Sequence, residues 1–580
     1  MCAYGGILGA DNQPPQKTLV GSEDQGPPVG KQDISTLDGF VPILLLVPIH
    51  TLALHYMWLF SSVSLGSVFL RTVHVSACPT VVGANSCSRG KSPMTLTIPI
   101  SYMLFSDSTT IRFNKYISFP DFLPALIPHG FHESLRKRKS LSLICKTSII
   151  YNTTQHIMTD LAIARPLKLR CGLTLPNRLT KAAMAEGLAD KSALPSKATN
   201  AVYSEWAKGG WGLVLTGNVD VDQQYVGDKA NAAYNDKLER AAMLDTWKAW
   251  AKSCNPDGKT PTVVQINHPG RQSPMGAGSR GLFAKTIAPS PIALDFGSGL
   301  LARLISAVVF GTPREMTADE IQHVVSRFAE TARLSAEAGF AGAEIHAAHG
   351  YLLAQFLSEK TNKRTDAYGG SPAARAKIVV EIIKAMRAAV PPEFCIGIKL
   401  NSADHQSPEE LRACLEQLRL ITDAGVDFVE ISGGTYENPI MSMGTADPST
   451  GGEKPGQKSE RTKAREAFFL EFASAVRGEI GSDVPLMVTG GFRSRAGMEA
   501  ALAGGGCDLI GIGRPATVKP AFPKELLLNP DVKDEDASLF VEKIQPGWFL
   551  KKTGVHALGA AADSVHYMKA LQSLARGIKA

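Results

Sequence analysis

The stretch LMVTGGFRSRAGMEAALAGGGCDLIGIGRP, residues 486–515, decides the fold. It opens on a short β-rich run ending in Gly490-Gly491, crosses a helical segment, and returns to a second apolar run, Asp508 to Gly513, closed by Gly513-Arg514. Strand, helix and strand in about 30 residues make one βα unit and the start of the next. Working upstream, six earlier runs share this character: Leu179 to Met184, Gly212 to Asn218, Thr262 to Asn267, Gly342 to His346, Cys395 to Leu400 and Asp427 to Ser432. Helical stretches follow most of them. The clearest are MTADEIQHVVSRFAETARLSAEAGF, with Thr317 as cap and Ile321, Val324, Phe328, Ala332 and Leu334 near helical spacing, and SPAARAKIVVEIIKAMRAAV, capped by Ser371 with Pro372 at the first helical position. Eight βα units in roughly 400 residues predict an α/β fold of the (β/α)8 TIM-barrel type. A doubly wound sheet fits less well, because no first strand runs into G-x-G-x-x-G. The Gly/Pro/Ser-rich connection from Asn267 to Thr317, with its apolar segment LLARLISAVVF, is expected to be an insertion that lids the site.

Composition narrows the class. Hydrophobic residues at 44% and charged residues at 20% of 580 describe a globular chain rather than a disordered or collagen-like one. A net charge of +7, thinly spread apart from Arg136 to Lys139, does not call for a nucleic-acid partner. Nine cysteines without a C-x-x-C argue against a zinc ribbon or a secreted disulfide framework and fit a reducing, cytoplasmic location.

The chain changes character near Met158. Residues 1–157 hold 12 Lys/Arg and 8 Asp/Glu, a lower charge density than the remainder, and lack sustained periodicity. No charge lies between Asp38 and Arg71, and residues 39–70 are long enough to cross a bilayer core of about 30 Å. Pro42, Pro48, His50, His55 and the acidic residues 1–38 argue against a spanning helix. Two readings stay open for residues 1–157: a low-order extension whose segment 39–70 meets a membrane, or a product of gene prediction outside the native fold. The barrel is expected over residues 158–545. Residues 546–580 then form a helical tail, with Trp548, Phe549, Val555 and Leu558 packing on the barrel or on a second copy in a homo-oligomer.

In a TIM barrel the reacting groups sit at strand C-termini, and phosphate is held after strands seven and eight. Gly490, Gly491, Gly513 and Arg514 stand at those places, glycines allowing close backbone approach and an arginine fork matching phosphate oxygens. The ligand is therefore expected to carry a phosphate, as a nucleotide or flavin mononucleotide does. The fourth run ends at His346, with His349 and Tyr351 just beyond. Such a cluster can serve a metal, a nucleophile with its base, or donors to a substrate oxygen beside a proton donor. A metal hydrolase lacks further ligands at the other strand ends, so no metal is assigned. A nucleophile lacks any G-x-S-x-G or comparable element. Two satisfied barrel histidines are the plain structural alternative.

The motifs NRLTKAAMAEG at Asn177, VVQINHPGRQ at Val263, HAAHGYLLAQFLSEKTNKRTDAYGGS at His346, MVTGGF and IGIGRP resemble the Old Yellow Enzyme family of FMN-dependent NAD(P)H:flavin oxidoreductases over roughly Leu161 to Leu528. The resemblance implies a barrel holding FMN non-covalently, reduction by NADH or NADPH, and hydride delivery to the activated alkene of a small-molecule substrate. It implies that His346 and His349 hydrogen-bond an enone oxygen and that Tyr351, through its phenol, protonates the α-carbon from the face opposite the flavin. It also implies that Gln265 meets the isoalloxazine edge, that Ala183, Met184 and Ala185 follow the flavin, and that the two glycine-bearing ends cradle its phosphate. Three positions depart from the family pattern: Ala183 stands where a Pro is usual, Ala185 where a Thr or Cys would bond flavin O4, and Lys399 where an Arg is usual near N1 and O2. Lys399 keeps the charge but not the planar fork. Two further functions remain open, an NADH oxidase or biosynthetic flavoenzyme with another acceptor, and a flavin-free barrel acting as a scaffold.

Overall fold

The computed structural model describes residues 161–401, 407–435, 437, 472–539, 541 and 556–578. The extension 1–157, its segment 39–70 and the side chains of Trp548, Phe549, Val555 and Leu558 lie outside the described residues.

Eight parallel strands close on themselves. They are β1 (Leu179–Lys181), β2 (Leu213–Leu215), β3 (Thr262–Asn267), β4 (Gly342–Ala347), β5 (Cys395–Asn401), β6 (Phe428–Ser432), β7 (Leu486–Thr489) and β8 (Leu509–Ile512). Each pairs with its neighbours in order, and β8 pairs back onto β1 with Ile510 opposite Leu179. The expected TIM barrel is thus present: six strands lie inside the apolar runs, and β4 and β5 each extend one residue beyond theirs, to Ala347 and Asn401. β1 is shorter than its run, stopping at Lys181, so that Ala183 to Ala185 belong to the loop above it.

Helices cover the outside: α1 (Lys197–Ala207), α2 (Arg240–Cys254), α3 (Ala318–Ala338), α4 (Leu352–Leu357), α5 (Pro372–Ala389), α6 (Pro408–Asp423), α7 (Arg495–Ala503), α8 (Arg514–Val518) and α9 (His556–Ala575). Their starts follow from local chemistry. Thr317 and Glu320 form a reciprocal capping box on α3, and Ser371 caps α5 ahead of Pro372. Gly339 ends α3 in the left-handed region at φ +95, where a side chain would be strained. The apolar face of α3, Ile321, Val324, Phe328 and Ala332, is buried against the barrel. Helix α9 packs on α1 and α8, and Met568 crowds Gly187 in the loop above β1. Among the described residues no helix is long and apolar enough to cross a membrane.

The connection from β3 to α3 carries a two-residue parallel ladder, Ile287–Ala288 with Arg314–Glu315, and a short helix, Leu300–Ile305. Buried Arg271 fastens this insertion. Its guanidinium donates to the carbonyl of Ala293 at 2.9 Å and to Glu437 Oε2 at 2.6 Å, while Glu437 Oε1 accepts from the Asp295 amide at 2.8 Å. Glu437 follows β6, so the insertion is latched across the C-terminal end of the barrel, where a lid would sit.

Candidate active site

Strand register assembles the inner wall. In parallel pairing, Gln265 on β3 stands opposite Glu344 on β4, His346 on β4 opposite Lys399 on β5, and Lys399 opposite Glu430 on β6. Residues two apart on one strand share a face, so Glu344 and His346 face the same side of β4. All five are at most 3% exposed. Charge inside a barrel must be compensated, and here it is. The Lys399 ammonium lies 2.9 Å from Glu430 Oε1, and the Gln265 amide donates to Glu344 Oε2 at 2.6 Å. Burial first, and then the Glu430 charge, push the Glu344 carboxyl well above the ordinary carboxylate range.

Just above lies the histidine pair, whose tautomers follow from one backbone bond. The Ala348 amide donates to His346 Nδ1 at 3.2 Å, so that nitrogen is unprotonated and His346 carries its hydrogen on Nε2. His346 Nε2 then donates to His349 Nδ1 at 3.2 Å, and His349 Nε2 donates to Ser432 Oγ at 3.1 Å. Burial, with the His349 and Lys399 charges adding to it, holds His346 well below the usual imidazole range; burial and the Lys399 charge bring His349 to about 3. Both rings are neutral donors at neutral pH. The unfolded chain takes up imidazole protons below about pH 6.5 that the fold refuses, so His349 costs stability progressively as pH falls from there toward 3. His349 also sits at φ +57, a strained conformation held by its amide donating to Asn401 Oδ1 at 3.0 Å and its carbonyl accepting from Gln272 at 2.9 Å.

Tyr351 stands edge-on to His346, ring centroids 4.7 Å apart, and its hydroxyl accepts from Asn218 Nδ2 at 3.2 Å. The structure therefore gathers His346, His349 and Tyr351 at one mouth and adds Asn218, Ser432, Asn401 and Gln272, which the sequence reading did not single out. Asn and Ser at strand ends look like ordinary strand terminators, and nothing local distinguishes them.

On the opposite rim, Gly490 and Gly491 follow β7 at φ +129 and +80, and the space that a Cβ on Gly491 would take is open. A Cβ on Gly513 would meet Met184 Sδ at 3.5 Å, so the loops above β8 and β1 touch. Helix α8 starts at Arg514 directly after Gly513. This set fits FMN. Backbone amides beside left-handed glycines and an arginine suit a phosphate, while Gln265 and Lys399 would be the amide and the cation of the inner wall nearest in chemistry to what an isoalloxazine edge needs. Ala183 and Ala185, in the loop above β1, would offer that ring backbone only.

A barrel with a glycine- and arginine-bearing rim, a polar inner wall and a neutral donor pair beside a phenol is an arrangement that suits a flavin-dependent oxidoreductase. The chain belongs to the NADH:flavin oxidoreductase / NADH oxidase family, whose model matches residues 162–529. It is similar to the NADH-dependent flavin oxidoreductase iccE of Talaromyces variabilis, 52% identical over 421 residues, 72% of this chain and 99% of that one. The NADH-dependent flavin oxidoreductase iliE of Neonectria sp. (strain DH2) is 51% identical over 420 residues, 71% of this chain but 54% of that relative, so the chain spans about half of its length. Among solved structures, 2-naphthoyl-CoA reductase in complex with 2-naphthoyl-CoA shares 26% identity with a TM-score of 0.51, covering 63% of this chain and 52% of that one.

Arg514→Ala is expected to loosen FMN. A charge-assisted contact to phosphate contributes about 1.5–3 kcal/mol, so retention should fall by roughly tenfold at the lower value and by more than about a hundredfold at the upper. Fluorescence titration of the released flavin reads this directly, and unchanged affinity would move the phosphate away from α8.

Proposed function

We propose that this protein reduces the activated alkene of an enone-type small molecule, with NADH or NADPH as the electron source. FMN supplies the hydride when bound. The observation that carries the reading is the neutral His346–His349 pair within ring contact of Tyr351, at the mouth of a barrel whose rim fits the cofactor's phosphate. Hydride addition at the β-carbon builds negative charge on the carbonyl oxygen. Two Nε2–H donors that exchange their present acceptors, His349 Nδ1 and Ser432 Oγ, for that oxygen stabilise the charge as an oxyanion hole does. Such donors commonly contribute about 3 kcal/mol each. Neutral imidazoles hold no proton acidic enough to give up, which leaves the α-carbon proton to Tyr351.

The test is anaerobic: reduce the bound flavin with NADH, then add a panel of cyclic enones and nitroalkenes and follow reoxidation. Rapid reoxidation by an enone supports the reading, whereas reoxidation by oxygen alone turns it to the NADH oxidase alternative. A phenol that binds through its phenolate oxygen should show no titration near pH 6.5, because His349 stays neutral down to about 3. A binding transition centred near 6.5 would overturn the neutral-donor assignment.

A further inference from the structure

We propose that Cys171 and Cys395 are a peroxide-sensitive thiol pair at the floor of the barrel, a reversible disulfide site at the end opposite the catalytic mouth. The floor is built by a hairpin, Leu167–Lys168 paired with Thr174–Leu175, that precedes β1 and closes the N-terminal ends of the strands. Leu169 and Leu175 of this hairpin pack with Leu213, Val263, Phe428 and Met487, and Cys395, the first residue of β5, lies in the same apolar cluster. Cys171 sits in the hairpin turn, beside Gly172 at φ +92. The turn is moored at its tip, where the Arg170 guanidinium donates to the carbonyl of Val426 at 3.2 Å.

The two sulfurs and a carboxylate oxygen of Asp427 lie within 4.8 Å of one another. Both cysteines are free thiols, and of the five free cysteines among the described residues Cys171 is the one that is not buried. Exposure and reactivity coincide there. The thiol of Cys395 hydrogen-bonds the Cys171 sulfur and lowers its pKa; the Leu173 backbone and, more weakly, the Arg387 guanidinium act the same way, against burial and the Asp427 charge. Cys395 is pushed well up by that same hydrogen bond and by burial. One thiol is thus prepared to react with solvent-borne oxidant, and its neighbour is sheltered from it.

A metal fits this cluster less well. Asp427 Oδ2 already accepts from the Ile396 amide at 2.7 Å and is paired with Arg387, whose positive charge would face any cation placed between the sulfurs. Two thiols and an occupied carboxylate leave a soft metal short of ligands.

The oxidant is a hydroperoxide, hydrogen peroxide in the simplest case. The Cys171 thiolate attacks one peroxide oxygen; an S–O bond forms, the O–O bond breaks, and the departing hydroxide is protonated to water. The Cys171 sulfur has then lost two electrons, as a sulfenic acid. Attack by Cys395 forms the S–S bond and breaks the S–O bond, and the hydroxide leaves as water with the thiol's proton. The net change is two thiols and one peroxide to one disulfide and two waters. A dithiol reductant reverses it, as expected of a transient disulfide in a reducing compartment. The oxidised hairpin is stapled to β5, across a loop running from residue 171 to 395.

Peroxide-treated full-length protein, denatured, alkylated and digested without reductant, is expected to yield a peptide pair joined through Cys171 and Cys395, lost again on dithiothreitol treatment. Its thermal midpoint is expected to rise by several degrees over the reduced form. Cys171→Ser, a change at a half-buried turn, should abolish both the linked pair and the rise. In Cys395→Ala the sulfenic acid lacks its partner, so Cys171 should proceed to the sulfinic acid. Recovery of both cysteines alkylated after peroxide overturns the proposal, as does a bridge from Cys171 to any other cysteine. One equivalent of Zn2+ bound to the reduced protein and shielding both thiols would assign the cluster to a metal instead. Neither result depends on the reaction at the mouth.

Discussion

In Tyr351→Phe, alkene-dependent reoxidation of the flavin is expected to slow by about 10²-fold or more, while its reduction by NADH proceeds almost unchanged. The substitution keeps the ring that stands edge-on to His346 and removes only the hydroxyl that Asn218 holds at 3.2 Å. Packing is preserved; the proposed acid is lost. A missing general acid is felt in the half-reaction that needs a proton on carbon, and reduction by NADH needs none. Stopped-flow traces of the two half-reactions separate these outcomes. Equal slowing of both would place Tyr351 in cofactor positioning, and no slowing of either would give the proton to another group. If oxygen is the acceptor, turnover in the same variant should be nearly intact, since electron transfer to oxygen protonates no carbon.

Much of the barrel is legible in the sequence because its strands are buried on both faces. Such strands read as continuous apolar runs bounded by Gly, Asn or Ser, and six of the eight fall within those runs, β4 and β5 running one residue further at their C-terminal ends. Caps are legible for a similar reason: Thr317-x-x-Glu320 and Ser371-Pro372 are local devices, complete within a few residues. The candidate site's geometry is legible where a motif carries it: His346, His349 and Tyr351 do come together at one mouth, and Gln265 and the glycine pairs do stand at strand ends or on the inner wall. It is not legible where register carries it. Ser432 meets His349 across 83 residues and Asn218 meets Tyr351 across 133, contacts that only the closed sheet creates. One signal was within reach. Glu344 in GAEIH and Glu430 in FVEIS are carboxylates inside otherwise apolar strands, and a charge so placed needs a partner on a neighbouring strand. For Glu430 that partner is Lys399, which the sequence comparison treated only as a weaker substitute for arginine toward the cofactor.

This makes Lys399→Met the substitution with the largest expected cost to folding. Lys399 is 3% exposed and its ion-pair partner Glu430 is fully buried, 2.9 Å away. Removing one member of a buried pair leaves the other as an uncompensated charge, a loss of about 3–5 kcal/mol. Glu344 deepens the problem, because its carboxyl is already raised by burial, by the Glu430 charge and by a hydrogen bond to Glu430. The direction of the pH dependence follows. A carboxyl whose pKa is raised in the fold contributes stability that is present below its unfolded value and is lost as pH rises. With the ammonium gone, the Glu344 carboxyl loses the cation that opposed its upward shift and is held still more readily as an acid, so the deficit should be greatest at pH 8 and shrink toward pH 5. Lys399→Met combined with Glu430→Gln removes both charges and should recover most of the loss, whereas adding a remote carboxylate substitution should recover none. Urea unfolding of the single and double variants at the two pH values measures each term, provided the m-value is constant. A single variant within about 0.5 kcal/mol of the parent at pH 8, the ordinary range for a surface change, would mean that Lys399 does not neutralise the barrel interior. Its conservation of charge would then have to be explained from the cofactor side alone.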